Sequence, residues 1–161
     1  MARLIRKEVR VPASPSEVWA AWTTTEGAES FFAPRANVEA RPGGPYEMLF
    51  NLDAPPGFQG SEGIKVLDCL PERMLAFEWN APPEFPNVRG ELTRVVVELE
   101  PAGESETLVR LTHSGWGEGE EWGQAFAYFV AAWHIVLGRL RYRFETGPID
   151  WSNPYCPPLT E

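Results

Sequence analysis

Residues 4–32 read LIRKEVRVPASPSEVWAAWTTTEGAESFF. Leu4 to Val11 alternates, with Ile5, Val9 and Val11 set against Arg6, Glu8 and Arg10. That is the period-two pattern of a half-buried strand. Pro12 ends it, because proline brings no N–H to a ladder. Ser14-Pro15-Ser16-Glu17 is a helix start: Ser14 accepts from exposed backbone N–H groups, Pro15 sits where a missing N–H costs nothing, and Glu17 closes a capping box. Val18, Trp19 and Trp22 follow at helical spacing. Thr25 is expected to cap a second short helix running through Phe31 and Phe32, which Pro34 stops. A strand that runs directly into two short aromatic helices fixes how the remainder must be assembled.

The middle of the chain reads as a meander. Strands are expected at Ala36–Ala40, Tyr46–Leu52, Gly60–Leu70, Met74–Asn80, Glu91–Glu100 and Thr107–His113. Turns built on Pro42-Gly43-Gly44-Pro45, Pro55-Pro56-Gly57, Pro71-Glu72-Arg73 and Pro101-Ala102-Gly103 separate most of them. The glycines of the Gly60–Leu70 stretch point to a bulge or a close backbone approach. Ala81 to Asn87 forms a proline-rich loop. Hairpin-length turns between short strands argue for one continuous antiparallel sheet.

The period then changes. Trp122, Phe126, Phe129, Trp133, Val136, Leu137 and Leu140 fall at intervals that define one helical stripe. Glu118, Glu120 and Glu121 precede it and Arg139, Arg141 and Arg143 close it, both complementing the helix dipole. Gly147-Pro148 stops a helix of about 25 residues, roughly 38 Å long. The expected architecture is α+β: a curved antiparallel sheet of about six to seven strands wrapped around a long C-terminal helix, with two short helices after the first strand. Residues 1–146 form the domain, and 147–161 a proline-rich tail anchored by Trp151 and Tyr155.

The chain has 161 residues and a formal net charge of -9. Non-specific binding to nucleic acid or to anionic membranes needs clustered Lys and Arg, which this balance opposes. The start MARLIRKEVRV has no apolar signal core and no run is long enough to span a bilayer, so the expected location is the cytosol. Cys69 and Cys156 have no metal spacing and are expected to be reduced.

The chemical inventory is thin. His113 and His134 are the only histidines. They cannot supply a three-histidine metal site, and no HExxH, CxxC, GxSxG or phosphate-binding glycine loop accompanies them. No metal, cofactor or catalytic set is expected. His113 ends a strand on the inward face; if the protein is an enzyme, it is the candidate general base, and otherwise a structural histidine. Inward positions on strands and helix make Tyr46, Met48, Phe50, Phe77, Trp79, Leu111 and His113 candidates for a cavity wall. Trp122, Phe126, Phe129 and Trp133 would cover it. The same residues equally serve as plain core packing.

IRKEVRVPASPSEVWAAWTTTEG, the PGG turn at 42–44, GIKVLDCLP at 63–71, LTHSGW at 111–116 and the closing aromatic helix resemble the SRPBCC or START-like superfamily. Within it they are most similar to the branch related to the C-terminal domain of the heat-shock-protein-90 ATPase activator. The resemblance covers about residues 4 to 145. It departs at Phe31-Phe32, where the branch often has a tryptophan pair, at Pro45, and in the tail. It implies a helix-grip fold with a cavity between sheet and long helix, holding an apolar or amphipathic small molecule in many relatives. Three functions remain open: small-molecule binding; a protein-interacting, co-chaperone-like module in the stress response; and a cyclase- or hydrolase-like enzyme using His113. Oligomeric state is also open, a homodimer through an exposed sheet edge or the proline-rich loops included.

Overall fold

The computed structural model describes residues 3–157 and 159. The chain runs β1 (Ile5–Val11), α1 (Pro15–Thr23), α2 (Thr25–Glu29), β2 (Arg35–Val38), β3 (Tyr46–Leu49), β4 (Val66–Leu70), β5 (Met74–Trp79), β6 (Thr93–Pro101), β7 (Thr107–Ser114) and α3 (Glu120–Glu145). This is the expected α+β order, with seven antiparallel strands and a 26-residue helix near the C-terminus. The capping box at Ser14 and Glu17 is formed, with Ser14 accepting from the Glu17 N–H.

The second helix is shorter than the sequence predicts. Thr24, not Thr25, is its cap, accepting from the Gly27 N–H at 2.9 Å. The Thr25 hydroxyl instead accepts from the Val38 N–H and so ties α2 to β2. The helix ends at Glu29 because the N–H groups of Phe31 and Phe32 both turn back to the Ala28 carbonyl. That turn drives both rings inward, and neither is exposed.

The sheet is not continuous. Five strands lie in the order β1-β7-β6-β5-β4, and β2 pairs with β3 separately. The predicted long strand over 60–70 survives as a ladder only at Val66–Leu70. The preceding residues still follow β3, but through isolated bridges at Pro45–Lys65 and Leu49–Gly60. Two features interrupt the ladder. Pro45 has no N–H to donate, and the buried Ser61 hydroxyl takes the Met48 N–H at 2.7 Å in place of a backbone carbonyl. Gly60 is required here, since a Cβ on it would lie 2.0 Å from the Met48 carbonyl oxygen.

One core joins sheet and helices. Val95, Val97, Val109 and Leu111 from β6 and β7 belong to the same buried cluster as Trp133, Leu137 and Leu140 of α3. After α3, Ile149 donates its N–H to the Ser30 carbonyl and the Trp151 indole N–H donates to Glu29 O at 2.6 Å. Trp151 thus pins the tail against α2. Tyr155, expected as a second anchor, is exposed.

Candidate functional site

The face of α3 carrying Phe129, Ala132, Trp133 and Val136 lies opposite β5 and the two long loops at residues 50–65 and 80–92. Spacings of three and four stack these side chains along one side of the helix. Between them lies a half-open cavity of about 350 Å³. Its floor is aromatic: Phe32, Trp79 and Trp133 are buried, with ring centroids 5.6 Å apart for Phe32–Trp79 and for Trp79–Trp133. Its rim is apolar but wet, with Phe50 44 %, Phe58 53 %, Tyr128 40 % and Ile135 49 % exposed. Asn51, Gln59, Asn80, Arg89 and Arg139 supply the polar atoms of the wall.

Two carboxylates brace the loops around this space. Glu62 accepts from the backbone N–H groups of Gly57, Gln59 and Gly60. Burial raises its carboxyl, but the surrounding backbone N–H groups outweigh that and hold it below the usual carboxylate value. Arg89 crosses from the other loop, donating to the carbonyls of Ala81, Gly57 (2.8 Å) and Gly60 (2.9 Å) and lying 3.8 Å from Glu62. Glu121, in the first turn of α3, accepts from the Asn87 N–H and side-chain amide and from the Val88 N–H. Expected only as part of an acidic helix start, it fixes the 80–92 loop over the helix.

The predicted site residues divide into three groups. Trp79, Phe129 and Trp133 line the cavity, as does Phe50, although Phe50 lies past the end of β3 and sits at the rim. Tyr46, Met48, Phe77, Leu111 and His113 are fully buried behind the floor. Tyr46 stacks on Phe77 at 4.3 Å, and its hydroxyl donates to Trp22 O at 2.9 Å. Burial holds that phenol protonated, well above its ordinary pKa. Trp122 and Phe126 pack instead on Trp116 at the N-terminal end of α3, 6.1 and 5.1 Å between centroids. Helical period placed them on one stripe with Trp133, but a 26-residue helix carries that stripe past the cavity.

His113 has no exposed surface, and its hydrogen bonds fix its tautomer. The Trp133 indole N–H, which can only donate, points at Nδ1 at 2.9 Å. Nδ1 is therefore the unprotonated nitrogen, and Nε2–H donates to the Thr93 hydroxyl at 2.7 Å. The Thr93 hydroxyl passes its own hydrogen to the Trp79 carbonyl at 3.2 Å. Each donor in this chain is used once. Burial, the cause of the shift, pushes the imidazole down to about 3. The ring is neutral at physiological pH, with both nitrogens engaged and a tryptophan between it and the cavity. The other histidine, His134, lies on the far side of α3 near Arg6, Glu8 and Arg141. Among the described residues no group of three or more His, Cys, Asp or Glu side chains is arranged to hold a metal ion, and no helix is long and apolar enough to cross a membrane.

Sequence reasoning missed Phe32, Phe58, Tyr128, Arg89 and Arg139. Tyr128, Ala132, Ile135 and Arg139 form a second stripe at intervals of four, three and four beside the aromatic one, a signal that was present in the sequence. Phe58 and Arg89 lie in loops, where no period marks them.

Several solved structures share this fold. The Aha1 dimer from Colwellia psychrerythraea is 24 % identical with a TM-score of 0.68, covering 90 % of this chain and 98 % of that one. CalU16 from Micromonospora echinospora is 24 % identical at 0.68, covering 91 % and 77 %. An AHSA1-like protein from Rhizobium etli is 24 % identical at 0.64, covering 100 % and 93 %. No curated protein matches the chain significantly. The model of the family described as activator of Hsp90 ATPase homolog 1-like protein matches residues 12–145, and with the helix-grip architecture around one long helix this places the chain in that family.

Proposed function

We propose that this domain binds an apolar or amphipathic small molecule in the cavity between α3, β5 and the 50–65 and 80–92 loops. One observation carries the reading: a cavity of about 350 Å³ with a tryptophan floor opens through a collar of exposed aromatic and aliphatic side chains. Burying a large apolar side chain is worth about 1.5–3 kcal/mol. Several of them left half in water around one concavity therefore mark a surface kept for an occupant. The loops are braced in place by Glu62, Arg89 and Glu121, so the space does not depend on a ligand to form. His113 fits this reading better than a catalytic one, because the lone pair a general base needs already accepts from Trp133.

The test is native mass spectrometry of protein purified from a rich host, with thermal-shift screening against aromatic and lipid-like panels. Ala132→Phe, which fills the cavity from α3, serves as the control. A co-purified or stabilising small molecule that Ala132→Phe no longer takes is the expected result. An empty protein that nothing stabilises would sink the idea.

A second reading, a protein-interacting module acting on an Hsp90-type chaperone, is supported by the family and by the exposed apolar collar. It is tested by adding the purified chain to a bacterial chaperone of that type. Unchanged ATPase turnover at saturating protein would remove it.

A further inference from the structure

We infer, building on the binding reading above, that the occupant is an aromatic anion whose carboxylate or other oxyanion end seats on Arg139. Among the described residues the lining of the cavity carries two arginines and no acidic residue. That is unexpected in a chain with 23 acidic against 14 basic residues. The two arginines are not equivalent. Arg89 donates to the carbonyls of Gly57, Gly60 and Ala81 and lies beside Glu62, so its charge is balanced and both of its terminal nitrogens are engaged. Among the described residues Arg139 has no carboxylate partner. Its guanidinium lies over the Trp151 ring, 5.2 Å from the centroid, and one amino group donates to Pro154 O at 3.5 Å. Its Nε is buried and makes no hydrogen bond to the described residues. A guanidinium held by stacking, at the edge of a cavity whose described lining has no acidic side chain, is suited to a planar oxyanion.

The other end of the ligand follows from the walls. Phe32, Phe58, Trp79, Tyr128, Phe129 and Trp133 are all ring-bearing. Flat faces at stacking distance favour a fused or linked aromatic body over a long flexible chain, which would lose more rotational freedom for the same contact. The side-chain amides of Asn51, Gln59 and Asn80 lie along the wall, each already holding one backbone group, with the Gln59 and Asn80 carbonyls remaining for polar substituents on the rings.

A matched pair of probes tests this. 8-Anilino-1-naphthalenesulfonate and N-phenyl-1-naphthylamine share a ring system and differ by the anionic group. Fluorescence titration of wild type, Arg139→Gln, Ala132→Phe and, as a remote charge control, Arg10→Gln would be compared. Wild type is expected to bind the sulfonate more tightly. Arg139→Gln is expected to weaken the sulfonate about tenfold, the worth of one charge-assisted hydrogen bond, while leaving the neutral probe within about twofold of wild type. Arg10→Gln should change neither, and Ala132→Phe should abolish both. Equal weakening of both probes by Arg139→Gln would mean that Arg139 only holds the tail, and would overturn the inference. So would a sulfonate affinity that Arg139→Gln or Ala132→Phe leaves untouched. If the neutral probe binds and the charge makes no difference, the anionic class is wrong and the cavity reading survives. If neither probe binds wild type, both fall.

Discussion

Wild type and His113→Leu, unfolded by urea at about pH 7.5 and again at about pH 4.5, would expose how the buried imidazole links stability to pH. In the unfolded chain a histidine titrates near its ordinary value of about 6.5; folded, burial holds His113 at about 3. Between those values the unfolded chain takes up a proton that the folded chain refuses. Stability is therefore complete above about pH 6.5 and is lost as the pH falls toward 3. At about 1.36 kcal/mol per unit, two units below 6.5 remove about 2.7 kcal/mol, and the whole window is worth about 5 kcal/mol. Acidic side chains such as Glu62 also lose native interactions in acid, but they do so in both proteins and cancel in the difference. His113→Leu should be less stable than wild type at pH 7.5 by about 2–4 kcal/mol, because the Trp133 N–H and Thr93 lose their partner. Its further loss on acidification should be smaller than that of wild type by about 2–3 kcal/mol. Should the variant not fold, the Cε1 resonance of His113 in wild type reads the same quantity directly. Equal acid sensitivity in the two proteins, or a resonance titrating near 6.5 in the folded state, would refute the network built on His113.

Trp133→Ala should cost about 3–5 kcal/mol, since a fully buried ring is removed and His113 Nδ1 loses its donor; equilibrium unfolding checks it. Gly60→Ala should destabilise by about 1–3 kcal/mol, because its methyl group meets the Met48 carbonyl and must push the 60–65 segment off β3. Glu121→Gln should leave the melting temperature nearly unchanged but speed hydrogen exchange at the Asn87 and Val88 amides, whose acceptor it weakens. Ser14→Ala should lower stability by about 1 kcal/mol and the melting temperature by about 2–4 °C through loss of the cap on α1.

Element order was legible in the sequence because it rests on local physics. Alternation in Ile5–Val11, the capping box at Ser14 and Glu17, the turn glycines and the three-four spacing of α3 are set by near neighbours in the chain, and each appears where the pattern puts it. Inwardness was equally legible: Tyr46, Met48, Phe77, Leu111, Trp133 and His113 are all buried. What period cannot distinguish is a side chain behind the cavity floor from one that faces it. Tyr46 and Phe77 share the inward face with Trp79, yet only Trp79 reaches the cavity: the turn after Ala28 lays Phe32 against Tyr46, on which Phe77 stacks.

The sequence by itself determined the class of fold, the long helix and the apolar character of the interior, since these follow from composition and period. Only the tertiary structure decided the site. Arg89 and Arg139 are 50 residues apart and look alike in the sequence. Folding sets one against Glu62 and three carbonyls and leaves the other without an anion among the described residues, and His113, neutral through burial, has its tautomer fixed by residues 20 positions away on either side. Charge balance, protonation and an open cavity depend on which distant groups come to lie within a few ångströms, and no local pattern encodes that.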